Sequence, residues 1–339
     1  MTTHSGNLLF AATLAAVWLA GYVAAAETVP GPAADPVLDE IIVTAQKRSE
    51  RLVDVPLSVT AVTGDRLLEQ GITTPTEIER VVSGFSYQQS SFGVPVFTIR
   101  GVGVYDTFVG MSPAVTVYVD QAPLPYLAMT QGAMLDLDRL EVLKGPQGTL
   151  FGENSTGGAI NYIAAKPSAE FHTGMDLTYG RFDEWDEDAF VSGPLSNSLT
   201  ARFAVRNESR DRWQISDSRP DDTLGRRDFQ TGRLLLDWKP TDAVRLEANF
   251  NGWRDKSDTQ AMQFEQFVAA RPLNGIPPGY PESFLAIGGL APAPQNDRSA
   301  DWDAKPYRPL THDDRFYQVA LRAEVGLPPD LSCAVGKLA

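Results

Sequence analysis

The sequence contains very few of the residues from which disulfides and metal sites are built. It has one cysteine, Cys333, so no disulfide can form within the chain. Its three histidines, His4, His172 and His312, are far apart and show no zinc-type spacing. These absences argue against a metalloenzyme of the usual kind, and we expect no cofactor, although a site built from carboxylates stays open.

Positive charge is also scarce. Lysine and arginine total 29 residues against 43 of aspartate and glutamate, which gives a formal net charge of −14. Proteins that bind nucleic acid draw most of their affinity from a basic face, so we expect no nucleic-acid partner. The hydrophobic fraction of 43% is ordinary for a folded protein and argues against disorder throughout.

The sequence contains no pattern typical of catalysis: no Ser–His–Asp motif, no nucleophile elbow and no paired acids in a recognisable frame. Its glycine-rich stretches do not fit phosphate sites either. Lys144-Gly145 is followed by proline, and no Gly-Lys-Ser/Thr opens a helix there. Residues 101–103 lack the third glycine and the helix of a dinucleotide site. We therefore predict that the chain is not an enzyme.

The first 26 residues have the features of an export signal. Residues 8–20 are apolar, and three alanines end at Ala26, just before Glu27. Small residues at such a point are typical of a signal-peptidase site. An uncleaved membrane anchor is the alternative, because residues 8–26 carry no charge and are just long enough to span a bilayer. We expect cleavage after Ala26, and both interpretations imply export.

Residues 27–51 are rich in proline, acidic and small residues and predict a flexible linker. Residues 40–44, with the sequence EIIVT, form a β-prone run within it. A lone strand cannot satisfy its own backbone hydrogen-bonding groups. It must therefore join the sheet of its own domain or be offered to the sheet edge of another protein, and the spacing leaves both options open.

Residues 52–167 predict a mixed α+β domain. Residues 87–93 and 102–111 are typical of long polar-aromatic loops. The periodicity predicts strands at residues 57–62, 96–99, 115–119 and 140–143 and helices at residues 63–70 and 76–82.

From Phe171 onwards, runs of about ten residues alternate apolar with polar side chains. Residues 199–206, 244–251 and 317–325 show the pattern most clearly, and residues 257–314 form a very long link. A sheet on a soluble core alternates in the same way. About six such strands in an exported chain, with short turns at one end and long links at the other, are typical of an outer-membrane barrel.

One segment carries a family resemblance. Residues 136–167, DLDRLEVLKGPQGTLFGENSTGGAINYIAAKP, closely resemble the plug domain of TonB-dependent outer-membrane receptors. The stretches EIIVTAQKR and DVPLSVTAVTGDRL and the triplet Ile99-Arg100-Gly101 fit in the same order, so the resemblance covers residues 39–167. Five glycines are then expected to take positive φ or to approach neighbouring backbone closely: Gly145, Gly148, Gly152, Gly157 and Gly158.

The resemblance implies the fold class, a mixed α+β plug followed by the N-terminal strands of an antiparallel transmembrane β-barrel. The domains expected in chain order are a signal peptide (1–26), a periplasmic linker with a TonB box (27–51), a plug (52–167) and a partial barrel (168–339). A plugged barrel has about 22 strands, of which about six fit here. We therefore expect a C-terminally truncated receptor that does not insert or transport alone, since an open sheet leaves backbone groups unpaired in lipid.

The resemblance also implies the function, which is TonB-energised import of a scarce small solute, most commonly a ferric siderophore, across the bacterial outer membrane. The expected partners are TonB, that solute and outer-membrane lipid. The alternative is a soluble periplasmic binding or signalling module built from the plug alone.

Site residues follow from the same resemblance. Arg100 and Lys144 are expected to pair with barrel-wall carboxylates, because an unpaired charge inside the lumen would be costly. The expected TonB-binding residues are Glu40, Ile41, Ile42, Val43 and Thr44. The expected ligand contacts are Tyr87, Gln88, Gln89, Phe92, Tyr105, Asp106 and Phe108.

Overall fold

The computed structural model describes residues 41–45, 47–90, 93–104, 112–216, 220–261, 298–300 and 311–326. The predicted signal peptide lies outside these ranges, and so do five predicted site residues: Glu40, Phe92, Tyr105, Asp106 and Phe108. The described residues belong to one compact unit, Ile41–Ala339. None of the helices within them has the length and apolar character needed to cross a membrane.

Short strands form the plug. In chain order they are β1 (Ile42–Val43), β2 (Glu50–Arg51), β3 (Val59–Thr63), β4 (Phe85–Gln89), β5 (Pro95–Ile99), β6 (Val115–Val119), β7 (Ala122–Leu124), β8 (Leu137–Lys144) and β9 (Gly158–Ala164). The central sheet has the order β3-β8-β9-β6-β7, in which only β6 and β9 pair in parallel. Every residue of β6 and β9 is buried, which explains their nearly continuous apolar sequences.

Short helices cover the plug sheet. Helix α1 (Gly64–Glu69) begins after Thr63, whose side chain accepts a hydrogen bond from Arg66 N. The second predicted helix is a 3-10 helix, Pro75–Arg80, which starts with a capping box between Thr74 and Glu77. The other helical segments are Leu52–Asp54, Leu127–Thr130 and α2 (Gly148–Phe151).

The predicted loop at residues 87–93 is wrong in its first part. Phe85–Gln89 is strand β4, which pairs antiparallel with β5. The rings of Phe85 and Tyr87 lie 6.1 and 5.7 Å from the ring of Phe97 on β5, so aromatic packing across the hairpin stabilises the strand. Gln88 and Gln89, which follow these rings, obscure the strand in the sequence.

Six long strands form the partial barrel, as the alternation predicts. They are β10 (His172–Gly180), β11 (Glu184–Ser196), β12 (Leu199–Arg210), β15 (Arg227–Thr241), β16 (Val244–Asp255) and β18 (Asp314–Val325). This is also their order in the sheet, and all five neighbouring pairs are antiparallel. Three short strands, β13 (Gln214–Ser216), β14 (Thr223–Leu224) and β17 (Ser299–Ala300), form a separate small sheet.

The apolar face of the six-stranded sheet points away from the plug. Tyr317, Val319 and Leu321 are 77%, 55% and 57% exposed. On the opposite face, Arg206 and Arg233 are only 8% and 2% exposed. A sheet on a soluble core would show the reverse arrangement, so the structure has the outward-apolar, inward-polar pattern of barrel strands.

The links between these strands differ at the two ends of the sheet. Residues 197–198 and 242–243 are tight turns at one end, which we call the short-turn end. Residues 211–226 and 256–313 connect strands at the other end, which we call the long-loop end. Residues 181–183 form a short link at the long-loop end.

Four of the five plug glycines behave as predicted. Gly145, Gly152 and Gly158 have φ values of 107°, 75° and 147°. A Cβ atom on Gly157 would lie 2.8 Å from Val102 O. The prediction is wrong for Gly148, which begins α2 and has no atom within 4 Å of the position of a Cβ.

Candidate functional site

The predicted TonB-binding segment pairs with a neighbouring short strand of the same chain. Strand β1 pairs antiparallel with β2, with Ile42 opposite Arg51 and Val43 opposite Glu50. Val43 is fully buried in a small apolar cluster that includes Leu143. The segment is therefore paired within this chain, in a two-stranded sheet separate from the five-stranded plug sheet, and its binding to TonB stays a prediction.

A buried carboxylate holds the end of this segment. Glu141 Oε1 accepts a hydrogen bond from Thr44 N at 2.8 Å, and both of its oxygens lie near Thr44 Oγ1, at 3.2 and 3.1 Å. Arg139 Nε donates to Glu141 Oε1 at 2.8 Å, and Asn161 Nδ2 donates to Thr44 Oγ1 at 3.3 Å. Glu141 and Asn161 are both 0% exposed. The four side chains form a closed polar network on an otherwise apolar sheet.

The segment lies at the short-turn end. A cavity of 470 Å³ borders Thr44 there. It lies between plug residues such as Asp120 and barrel residues such as Asp237 and Arg245, which flank the turn at residues 242–243. Arg245 donates to both carboxylate oxygens of Asp237, at 3.0 and 2.8 Å.

Part of the predicted ligand site lies at the opposite, long-loop end. Tyr87, Gln88 and Gln89 are on strand β4, and Gln88 and Gln89 are exposed. A cavity of 260 Å³ separates this hairpin from the barrel strands. Tyr87 and Gln89 line it together with residues of the barrel, whereas Gln88 does not. The structure thus brings two of the three described candidates to one cavity.

Paired charges form the barrel side of this cavity. Arg227 donates to Glu208 Oε2 at 2.8 Å and to Asp255 Oδ2 at 3.3 Å, and His312 Nε2 lies 3.5 Å from the same Asp255 oxygen. The hydrogen bond with Asp255 raises the pKa of His312, which precedes strand β18. Burial raises the pKa of Tyr87 to about 12, so its hydroxyl stays protonated at neutral pH.

Three buried polar atoms beside the same cavity lack a hydrogen-bond partner within the described residues. Asp258 Oδ1, Arg210 Nε and Arg226 Nε are buried and have no hydrogen-bond partner in the structure as described, and all three residues line the cavity. Arg226 Nε and Asp258 Oδ1 lie 3.9 Å apart as an ion pair, and Arg210 pairs with Glu184 at 3.3 Å. Buried polar groups are normally hydrogen-bonded, so these paired charges have hydrogen-bonding capacity left for a polar ligand. Within the described residues, no three His, Cys, Asp or Glu side chains come together as metal ligands.

Arg100 and Lys144 contact plug hydroxyls. Arg100 Nη2 donates to Ser58 Oγ at 2.8 Å, and Lys144 Nζ donates to Ser83 Oγ at 3.1 Å. Burial, followed by the charge of Arg100, lowers the pKa of Lys144. Neither cation pairs with a barrel carboxylate among the described residues, so that contact stays a prediction.

Other residues join plug and barrel, and none of them is among the site residues predicted from the sequence. Arg233 Nη1 donates to Leu135 O at 2.5 Å, Asn249 Nδ2 donates to Asp120 Oδ2 at 2.7 Å, and Trp253 Nε1 donates to Met129 O at 3.2 Å. The sequence feature that could have identified these residues is the polar side of each alternating strand. Arginine and asparagine there face the plug, because the apolar side faces outwards.

Known proteins resemble this chain in the plug and also in strands beyond it. Residues 51–159 match the family model of the TonB-dependent receptor plug domain. The pesticin receptor of Yersinia pestis is 29% identical over 205 residues, which are 60% of this chain and 30% of that protein. The ferripyoverdine receptor of Pseudomonas aeruginosa is 29% identical over 174 residues, 48% of this chain and 20% of that protein.

A solved structure shows the same fold across plug and barrel strands. The ferric yersiniabactin uptake receptor FyuA from Yersinia pestis superposes with a TM-score of 0.62 at 22% sequence identity, covering 80% of this chain and 38% of that one. A plug followed by outward-apolar antiparallel strands defines the class of plugged barrel receptors. Residues 51–159 are thus a TonB-dependent receptor plug domain, and together with the barrel strands that follow they confirm the predicted resemblance and fold class. It spans about a third of the length of these two Yersinia relatives.

Proposed function

We propose that this chain provides the plug and barrel strands of a receptor that imports a scarce small solute across the bacterial outer membrane, energised by TonB. One observation carries the proposal: a polar cavity and a docked β-segment lie at opposite ends of one plug. Solute would enter the cavity at the long-loop end. Energy would be applied to residues 40–44 at the short-turn end.

The proposed cargo is a ferric siderophore. Two relatives are named for ferric compounds, the ferric yersiniabactin uptake receptor and the ferripyoverdine receptor. Ferric chelates present many oxygen atoms, which suit the hydroxyl of Tyr87, the amide of Gln89 and the guanidinium groups of Arg210 and Arg226. Gln88, Phe92, Tyr105, Asp106 and Phe108 complete the proposed ligand contacts.

The proposed contact with TonB is strand addition by Glu40, Ile41, Ile42, Val43 and Thr44. Backbone hydrogen bonds would provide the strength of this contact, and alternate side chains would provide selectivity. Export through a cleaved signal peptide and insertion in the outer membrane belong to the same proposal. The outward apolar face, with Tyr317 77% exposed, suits lipid better than water.

A soluble plug-only module fits the structure less well. Arg233 on barrel strand β15 is 2% exposed and donates to plug carbonyl groups at Leu135 and Ala133. Without the barrel these carbonyls and the surface around them would be uncovered. The plug surface is therefore matched to the barrel strands.

Uptake of radioactive iron tests the proposal. A strain without a complete receptor that carries this plug should take up an iron-loaded siderophore slowly, and a plasmid copy of that complete receptor should restore uptake. An uncoupler that collapses the inner-membrane ion gradient should abolish the restored uptake but leave surface binding intact. Equal uptake with and without that receptor, for siderophores and also for sugars and vitamins as alternative cargo, would contradict it.

A further inference from the structure

The docked β-segment is held by a carboxylate far away in the sequence. Glu141 lies on β8 in the centre of the plug sheet, between β3 and β9. It accepts hydrogen bonds from the backbone N–H and from the side-chain hydroxyl of Thr44. Hydrogen bonds to an ionised group are about twice as strong as those between neutral groups. This contact therefore adds a strong polar attachment to the backbone bonds that the segment makes with β2 and Leu52.

The hydrogen bonds around Glu141 also oppose release of the β-segment from the plug. Glu141 is 0% exposed, and a buried carboxylate is stable only while donors surround it. Arg139 supplies one donor, Asn161 supplies a long one at 3.4 Å, and Thr44 supplies two. When the segment leaves, Glu141 loses both donors from Thr44 at once. The carboxylate therefore disfavours the undocked state.

Docking and partner binding exclude each other at these residues. Val43 and Ala45 are both 0% exposed, so neither side chain can touch a second protein while the segment is docked. The N–H of Thr44 is bonded to Glu141 and is not free to pair with a partner strand. A partner can bind the segment only in the fraction of molecules in which it has left the plug.

We propose that Glu141 is a positioning residue that keeps residues 41–45 docked and so sets how much of the segment a partner strand can bind. The proposal rests on the proposed function for the identity of the partner, which is TonB. The docking itself depends only on contacts within the plug. Weakening the contact between Glu141 and Thr44 should expose the segment without any cargo.

Cysteine labelling measures this exposure directly. In the full chain in detergent micelles, with Cys333→Ser as background, Ala45→Cys places a small thiol at a fully buried position. Adding Glu141→Gln or Thr44→Val should raise its labelling rate about tenfold, the factor expected from the loss of a charge-assisted hydrogen bond. Thr44→Ser keeps the hydroxyl and should stay within about twofold of the starting rate.

Two controls separate a local effect from general loosening of the plug. Glu77→Gln changes another carboxylate that accepts backbone N–H groups, those of Thr73 and Thr74, and it should leave labelling at position 45 unchanged. A thiol reporter at Ala164, which is 0% exposed on β9, should label no faster in Glu141→Gln. Equal labelling rates at position 45 in all variants, or equal acceleration at both reporters, would overturn the proposal.

A binding measurement with the soluble periplasmic part of TonB distinguishes this inference from the proposed function. Glu141→Gln should bind it about tenfold more tightly than the unaltered chain, by the same factor as the rise in labelling. Faster labelling of Ala45→Cys with no TonB binding to any variant would support the Glu141 contact and contradict the proposed function. TonB binding that is measurable and equal in all variants, together with equal labelling of Ala45→Cys, would support the proposed function and contradict the Glu141 contact.

Discussion

Asp136 of the plug and Arg202 of barrel strand β12 form a two-pronged ion pair. Arg202 Nε donates to Asp136 Oδ2 at 2.6 Å, and Nη2 donates to Oδ1 at 2.5 Å. Both side chains are 12% exposed, so the pair is largely shielded from water. This geometry ties the start of β8 to the barrel wall, and it is matched by the contacts of Arg233 one strand further on.

Asp136→Asn should therefore destabilise the contact between plug and barrel. Removing one partner of a largely buried pair leaves the other charge uncompensated and should lower the free energy of unfolding by about 3 kcal/mol. Urea unfolding of the full chain in micelles measures this. Asp54→Asn is the control, because the pair of Asp54 with Arg51 is mostly exposed and its loss should cost no more than about 0.5 kcal/mol. Equal effects of the two changes would contradict the role of Asp136.

Arg233→Met should also destabilise the contact between plug and barrel. The change keeps much of the side-chain volume but leaves the buried carbonyl of Leu135 without its donor. An unpaired buried carbonyl costs about 1–3 kcal/mol, which thermal or urea unfolding can detect. Arg315→Met on strand β18, where the side chain is 53% exposed, should change stability little. An Arg233→Met variant as stable as the unaltered chain would contradict this role of Arg233 and show that water replaces its guanidinium group.

Two glycines of the plug should respond to alanine in opposite ways. Gly158 has φ of 147°, and a Cβ there would lie 2.2 Å from Leu143 O, so Gly158→Ala should prevent normal pairing of β8 with β9. Gly148 has no atom within 4 Å of its Cβ position and lies in a helix, so Gly148→Ala should be neutral or slightly stabilising. Far-UV circular dichroism and unfolding midpoints of both variants check this. Similar behaviour of the two would contradict the structure around β9.

The pair of His312 with Asp255 should make stability depend on pH. The pKa of His312 is raised in the folded chain, whereas its ordinary value is about 6.5. The stabilisation is therefore complete below about pH 6.5 and is lost as the pH rises through the folded pKa. Unfolding free energies measured across this window should fall, and His312→Gln should remove the fall. His172→Gln should leave it in place, and a pH dependence that survives His312→Gln would contradict the assignment.

Most strands could be predicted from local pattern alone. Val115–Val119 is a strand with the predicted bounds, because an apolar β-branched run can be buried on both faces of a sheet. The barrel strands were predictable because apolar and polar side chains alternate along each strand, whether the apolar face points outwards or towards a core. Strand β4 was missed, because Gln88 and Gln89 look like loop residues until the rings of Tyr87 and Phe97 are seen to pack.

The site was harder to predict because its contacts are long-range. Nothing near Thr44 shows that it docks on Glu141, which lies 97 residues away in sequence. The partners of Asp120 and Asp136 are likewise on barrel strands, at Asn249 and Arg202. Sequence pattern shows which side chains face inwards, but the register between plug and barrel decides which of them meet.

The most direct test of the central claim is uptake of iron-loaded siderophore after deletion of residues 40–44 from a receptor that carries this plug. We expect surface binding of the cargo to persist, because the cavity at the long-loop end is untouched. Energised uptake should fall to the level of a strain without the receptor. Uptake at the normal rate after this deletion would contradict the claim that the plug is pulled through this segment.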